Sequence, residues 1–140
     1  MINGEAQNPH FRRQVEYEPA CASAARRFVE LTGGRVIFFP QVCGPTLEQD
    51  DRVPARRVAI GLRDLSEAAW VVEEPLSVAA LLDIYGQMDL FIGTRMHSNI
   101  FALSRDVPVI AIGYQHKTEG IAEMAGLKEW VIAGASAVWA

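Results

Sequence analysis

The chain is poor in the residues that build most recognisable cofactor sites. It has two cysteines in 140 residues, Cys21 and Cys43, which excludes a disulfide framework or a cysteine-rich metal cluster and fits a reduced, cytoplasmic setting. Its three histidines, His10, His97 and His116, have no spacing suited to a structural metal. No cationic excess is present: 13 Lys and Arg face 17 Asp and Glu, for a net charge of −4, which argues against a general nucleic-acid binder. No apolar run approaches the ~20 residues of a membrane span. The polar start Met1-Ile2-Asn3-Gly4-Glu5 lacks a signal-peptide core, so export and embedding are not expected, while contact with a membrane surface stays open. A Gly-x-Gly-x-x-Gly fingerprint and a P-loop are missing after every strand-like run, and no serine sits in a Gly-x-Ser-x-Gly elbow. Dinucleotide, NTP and acyl-transfer chemistry lose their usual support.

What is present is an ordinary globular composition, 50% apolar and 21% charged. The length suits one domain with a substantial core. Residues 1–19 are expected to be poorly ordered, and 20–140 to form a single α/β domain. Alanine-rich Ala20–Leu31 reads as a helix stopped by Gly33-Gly34. Strands are expected at Arg35–Phe39, Ala69–Glu73, Leu90–Ile92, Val107–Ile112 and Trp130–Ile132. Between them, helices are expected from Asp51 to about Leu62, with Pro54 in its first turn, from Leu76-Ser77 to Met88, from Arg95 to Ser104 and from Lys117 to Ala125.

Strands alternating with helices across short loops imply a parallel sheet with helices on both faces, and the continuous apolar strands agree. Ligands of such folds sit beyond the carboxyl ends of the strands. Gln41, Glu73-Glu74, Gly93–His97 and Gly113–Lys117 follow strands directly, so all are expected along one edge.

The most informative of these turns is Gly93-Thr94-Arg95-Met96-His97-Ser98. Cations in a helix's first turn oppose the macrodipole, whereas a bound anion gathers the free N–H groups and the side chains around itself. The competing reading makes Arg95 a surface ion-pair partner and His97 a satisfied polar residue. Gly113-Tyr114-Gln115-His116-Lys117 repeats the cationic turn one unit later, although Lys117 also suits a solvated position. Arg52, Arg56 and Arg57 suggest a phosphate patch, but a solvated helix face is the better reading.

The run Asp89-Leu90-Phe91-Ile92-Gly93-Thr94-Arg95-Met96-His97-Ser98, with Phe101-Ala102-Leu103 and Val107-Pro108-Val109, resembles the polysaccharide pyruvyl transferase family. Ile112-Gly113-Tyr114-Gln115-His116-Lys117-Thr118-Glu119-Gly120, Pro40-Gln41-Val42-Cys43-Gly44-Pro45 and Asp50-Asp51-Arg52 extend the likeness, which runs from Phe28 to Ile132. Met96 stands where the family has leucine, and Asn99 is more polar than the family pattern implies at that helix position.

The resemblance implies a Rossmann-like fold, similar to the C-terminal domain of a B-type glycosyltransferase, with the family's N-terminal domain absent or carried on a partner chain. It implies transfer of a pyruvyl group from phosphoenolpyruvate to two hydroxyls of a sugar or glycan acceptor, forming a ketal in polysaccharide or cell-wall glycan biosynthesis. No cofactor or metal is implied, since phosphoenolpyruvate is a co-substrate. Carried onto this sequence, Arg95, Met96, Ser98, Lys117 and Gly93 would bind substrate, and His97 would transfer the proton. Two alternatives remain at this stage: a sugar-nucleotide-binding half of a glycosyltransferase or epimerase, and a non-catalytic relic domain.

Overall fold

Short parallel strands alternate with helices through the chain, as the computed structural model shows for the residues it describes, 9–112 and 131–132. They fall into two compact units, Met1–Pro75 and Leu76–Ala140.

In the first unit, helix α1 (Pro9–Thr32) leads into strand β1 (Val36–Phe38), and helix α2 (Arg52–Ile60) leads into strand β2 (Ala69–Val71). Helix α1 starts well before Ala20. Its sequence points to a later start because Pro19 lies inside the helix and withdraws one backbone donor, normally a boundary signal. The helix ends as expected: Gly33 takes φ 65° and its N–H reaches Val29 O at 2.8 Å, a left-handed conformation that suits glycine. Strands β1 and β2 pair in parallel, with Val36 opposite Ala69 and Phe38 opposite Val71. Ala25, Val58, Leu62 and Ala69 form the core, with Cys21, Val36, Phe38 and Leu65 packed around them. Helix α1 is tied to the segment after α2 by the Arg26 guanidinium, which forks onto Asp64 at 2.6 and 2.7 Å and donates to Gly61 O at 2.9 Å.

Between β1 and α2 the chain makes a self-closing excursion. An antiparallel bridge joins Cys43 to Asp50, a short 3₁₀ turn occupies Leu47–Gln49, and Asp51 N–H donates to Val42 O at 2.8 Å. Its apex, Pro45-Thr46-Leu47, is exposed.

In the second unit, helix α3 (Val78–Tyr85), strand β3 (Phe91–Gly93), helix α4 (Met96–Leu103), strand β4 (Val109–Ile112) and strand β5 (Val131–Ile132) follow in order. Ser77 caps α3, its hydroxyl accepting from Ala80 N–H at 3.2 Å. Tyr85 is fully buried with its ring against Phe91, centroids 4.7 Å apart. Ala102, Val107 and Val109 complete the interior. Strand β4 lies between β3 and β5, and all three run parallel.

Within the first unit the strands form a two-stranded parallel sheet, β1-β2, and within the second a three-stranded parallel sheet, β3-β4-β5. Alternation turns Trp70 and Ile92 away from the core residues beside them, and they stay 38% and 57% exposed. The helix expected over Lys117–Ala125 lies outside the described residues. Among the described residues no helix is long and apolar enough to cross a membrane.

Candidate functional site

Strand β3 runs directly into helix α4 through Thr94 and Arg95. Arg95 occupies the N-cap position in extended conformation (φ −96°, ψ 129°), and its own side chain does not cap the helix. Capping positions usually carry Ser, Thr, Asp or Asn, whose oxygens accept from first-turn N–H groups. With arginine there, those donors are left for something else, next to a guanidinium and an exposed imidazole, His97.

The carbonyls of the turn are used internally. Arg95 O accepts from Ser98 Oγ at 2.8 Å and from Asn99 N–H at 3.2 Å. Gly93 O accepts from Asn99 Nδ2 at 3.2 Å. Ser98 and Asn99 are both buried, whereas Met96 is half-buried. Asn99 Oδ1 is buried without a hydrogen-bond partner and lies against Gly93, where even a methyl group would collide with it. Glycine is required at the strand tip by this close approach.

Of the residues singled out from sequence, Gly93, Arg95, Met96, His97 and Ser98 thus share one turn, and the Ser98 hydroxyl is committed to that turn's own backbone. Lys117, with Tyr114 and His116, lies outside the described residues. Asn99 is the residue whose part in the turn sequence reasoning missed; its polarity within an apolar helix run was the available signal.

The strand tips of the first unit form a different cluster. Asp51 Oδ2 accepts from Gln41 N–H and Val42 N–H at 3.2 and 3.0 Å, so its carboxylate pins the chain leaving β1 and does not cap α2. Asp50 takes over near that helix start, accepting from Arg52 N–H at 2.9 Å and from the Arg52 guanidinium at 2.7–3.1 Å. Arg56 forks onto Glu73 at 2.9 and 2.5 Å, and Arg57 reaches Glu18 at 3.3 Å. All three arginines are thus paired with carboxylates, which removes the phosphate-patch reading. The Arg52 guanidinium and N–H hold the Asp50 carboxyl down to about 2. Arg56 likewise lowers Glu73.

The four strand-tip motifs expected along one edge therefore appear as a Gln41–Glu73 group in the first unit and the Gly93–Ser98 turn in the second. Gly113–Lys117 lies outside the described residues.

A family model described as polysaccharide pyruvyl transferase matches residues 8–116. The amylovoran biosynthesis protein AmsJ of Erwinia amylovora is 32% identical over 120 residues, covering 83% of this chain and 28% of AmsJ. The chain thus spans about 28% of the length of this curated relative. No solved structure matches the chain.

Proposed function

The chain belongs to the polysaccharide pyruvyl transferase family, and from that premise we propose that its β3–α4 turn binds phosphoenolpyruvate for transfer of a pyruvyl group to a sugar or glycan. The reading carries with it a Rossmann-like domain of a larger B-type assembly, cytoplasmic, acting in polysaccharide biosynthesis. One observation supports it most directly: helix α4 starts at the tip of β3 with arginine at the N-cap position and no cap from that arginine's side chain.

Phosphoenolpyruvate bears a carboxylate and a phosphate on one carbon. Arg95 grips one of them with two parallel N–H donors, a geometry lysine does not reproduce. First-turn N–H groups from Met96 onward take further oxygens, helped by the helix dipole. Gly93 lets the strand tip pack tightly, Ser98 ties down the Arg95 carbonyl, and Lys117 supplies a positive charge. His97 carries the proton to the methylene carbon, its exposed imidazole serving as the proton-transfer group of the turn. As that proton arrives, the first sugar hydroxyl adds to the neighbouring carbon and returns its own proton to His97. The second hydroxyl then displaces phosphate and closes the ketal, its proton leaving with the phosphate.

Thermal unfolding tests the reading. A ligand that binds only the folded state raises its melting temperature, so phosphoenolpyruvate should raise it and uridine diphosphate should not. The opposite pattern would favour a sugar-nucleotide site, and no shift with either ligand would remove the donor site. Arg95→Lys keeps the charge and loses the fork. It should weaken phosphoenolpyruvate binding by roughly ten- to a hundredfold, the equivalent of about 1.4–2.8 kcal/mol.

A further inference from the structure

Asn99 sits where a helix of this kind has little use for an amide. It is 7% exposed, its Nδ2 donates to Gly93 O at 3.2 Å, and its Oδ1 has no partner. Buried side-chain polar atoms are nearly always paired. An orphaned acceptor beside an uncapped helix start indicates that the amide is kept for what its donor does.

The donor closes a short circuit. Residue 99 in the helix is tied to residue 93 at the strand tip, while Ser98 Oγ and Asn99 N–H both hold the Arg95 carbonyl. The carbonyls of Gly93 and Arg95 therefore both turn toward the Ser98–Asn99 side. In a planar trans peptide, the N–H points opposite to the C=O. The N–H of Thr94 shares its peptide with the Gly93 carbonyl, and the N–H of Met96 shares its peptide with the Arg95 carbonyl. Both are turned away from Asn99, and neither has an acceptor among the described residues.

We propose that Asn99 is a positioning residue, a latch between α4 and the tip of β3 that holds the Thr94 N–H outward, beside the Met96 N–H that the first helical turn already directs, as a donor pair for the anionic substrate. This rests on the reading of the turn as the phosphoenolpyruvate site and adds two backbone donors and the residue that aims the first of them. The amide's orientation follows from its neighbour: exchanging Oδ1 and Nδ2 would set two oxygens against each other at Gly93 O. Gly93 belongs to the same device, because any side chain there would push Asn99 off the carbonyl.

The test uses the 140-residue chain, labelled with 15N, and phosphoenolpyruvate as probe. Titration should shift the Thr94 and Met96 amide resonances, and Asn99→Ala should raise Kd at least tenfold. Ser104→Ala is the control. It removes the Ser104 Oγ bond to Phe101 O at the far end of α4, and should lower the melting temperature with Kd unchanged. A second variant reads the latch without ligand. In Asn99→Asp the ionised carboxylate has no proton to give Gly93 O, whereas the protonated acid does. The Thr94 amide resonance should therefore depart from its wild-type position at pH 7 and return toward it as the acid protonates.

A Kd for Asn99→Ala within twofold of wild type would overturn the proposal, whatever happens to the melting temperature. Should the unaltered chain fail to bind phosphoenolpyruvate, the functional reading of the turn falls by itself. The latch is then judged by the ligand-free spectra: return of the Thr94 resonance on protonation sustains it, and a resonance indifferent to both Asn99 variants overturns it.

Discussion

At the scale of single residues, two positions show how tightly the turn chemistry binds sequence to backbone. Gly93→Ala should cost about 1–3 kcal/mol, the usual range for forcing atoms into a packed site, because the new methyl group meets Asn99 Oδ1. Adding Asn99→Ala should recover part of that loss. A double-mutant cycle by urea denaturation reads the coupling directly, and strict additivity would show that the two residues do not sense each other. Asp106 is the second position. It takes φ 57° between α4 and β4, a left-handed conformation that costs an ordinary L-residue roughly 1–2 kcal/mol. Asp106→Gly relieves that cost but loosens the unfolded chain, so stability should change by less than about 1 kcal/mol. Asp106→Val, branched at Cβ, should lower the urea midpoint clearly.

At the scale of elements, the caps tell most. Ser77→Ala removes the acceptor for Ala80 N–H and should cost about 1 kcal/mol, seen as a lower melting temperature with the Gly93–Ser98 turn untouched. Much of this layer was legible in the sequence. The start of α3, both ends of α4, and the strand preceding each strand-tip motif follow from serine and glycine punctuation and from apolar runs, whereas α3 stops at Tyr85, short of the expected Met88. The Gly93–Ser98 turn was legible for the same reason: glycine after an apolar run, then cations, has few structural meanings. What escaped was whatever depends on distant partners. Glu73 is 17 residues from Arg56, so nothing local announces their fork. The contact of Asp51 with the Gln41 and Val42 N–H groups escaped because which carboxylate reaches them is decided by how the loop folds back. The start of α1 escaped for a different reason, since Pro19 is a helix boundary more often than a helix interior.

At the scale of the whole molecule, charge governs how the fold responds to acid. Asp50 and Asp64 each have a carboxyl held down from 3.8 to about 2, chiefly by a hydrogen-bonded guanidinium, from Arg52 and Arg26 respectively. A carboxyl whose folded value is depressed contributes stability in full above its ordinary value and loses it as pH falls through the folded one. Melting temperature should therefore hold above about pH 4 and decline between about 4 and 2. Asp64→Asn should start lower and decline less steeply, because it has no proton to take up there. An equal slope in variant and wild type would show that other carboxylates set the acid limit.

The excursion closed by Cys43 and Asp50 has an evolutionary corollary. Since its ends are already clasped and its apex faces solvent, extra residues spliced at Pro45–Leu47 would burden the domain only through ring entropy, about 0.6 kcal/mol per doubling of length. That makes the apex a natural port for grafted sequence, where new surface recognition arises without disturbing the paired arginines beneath it.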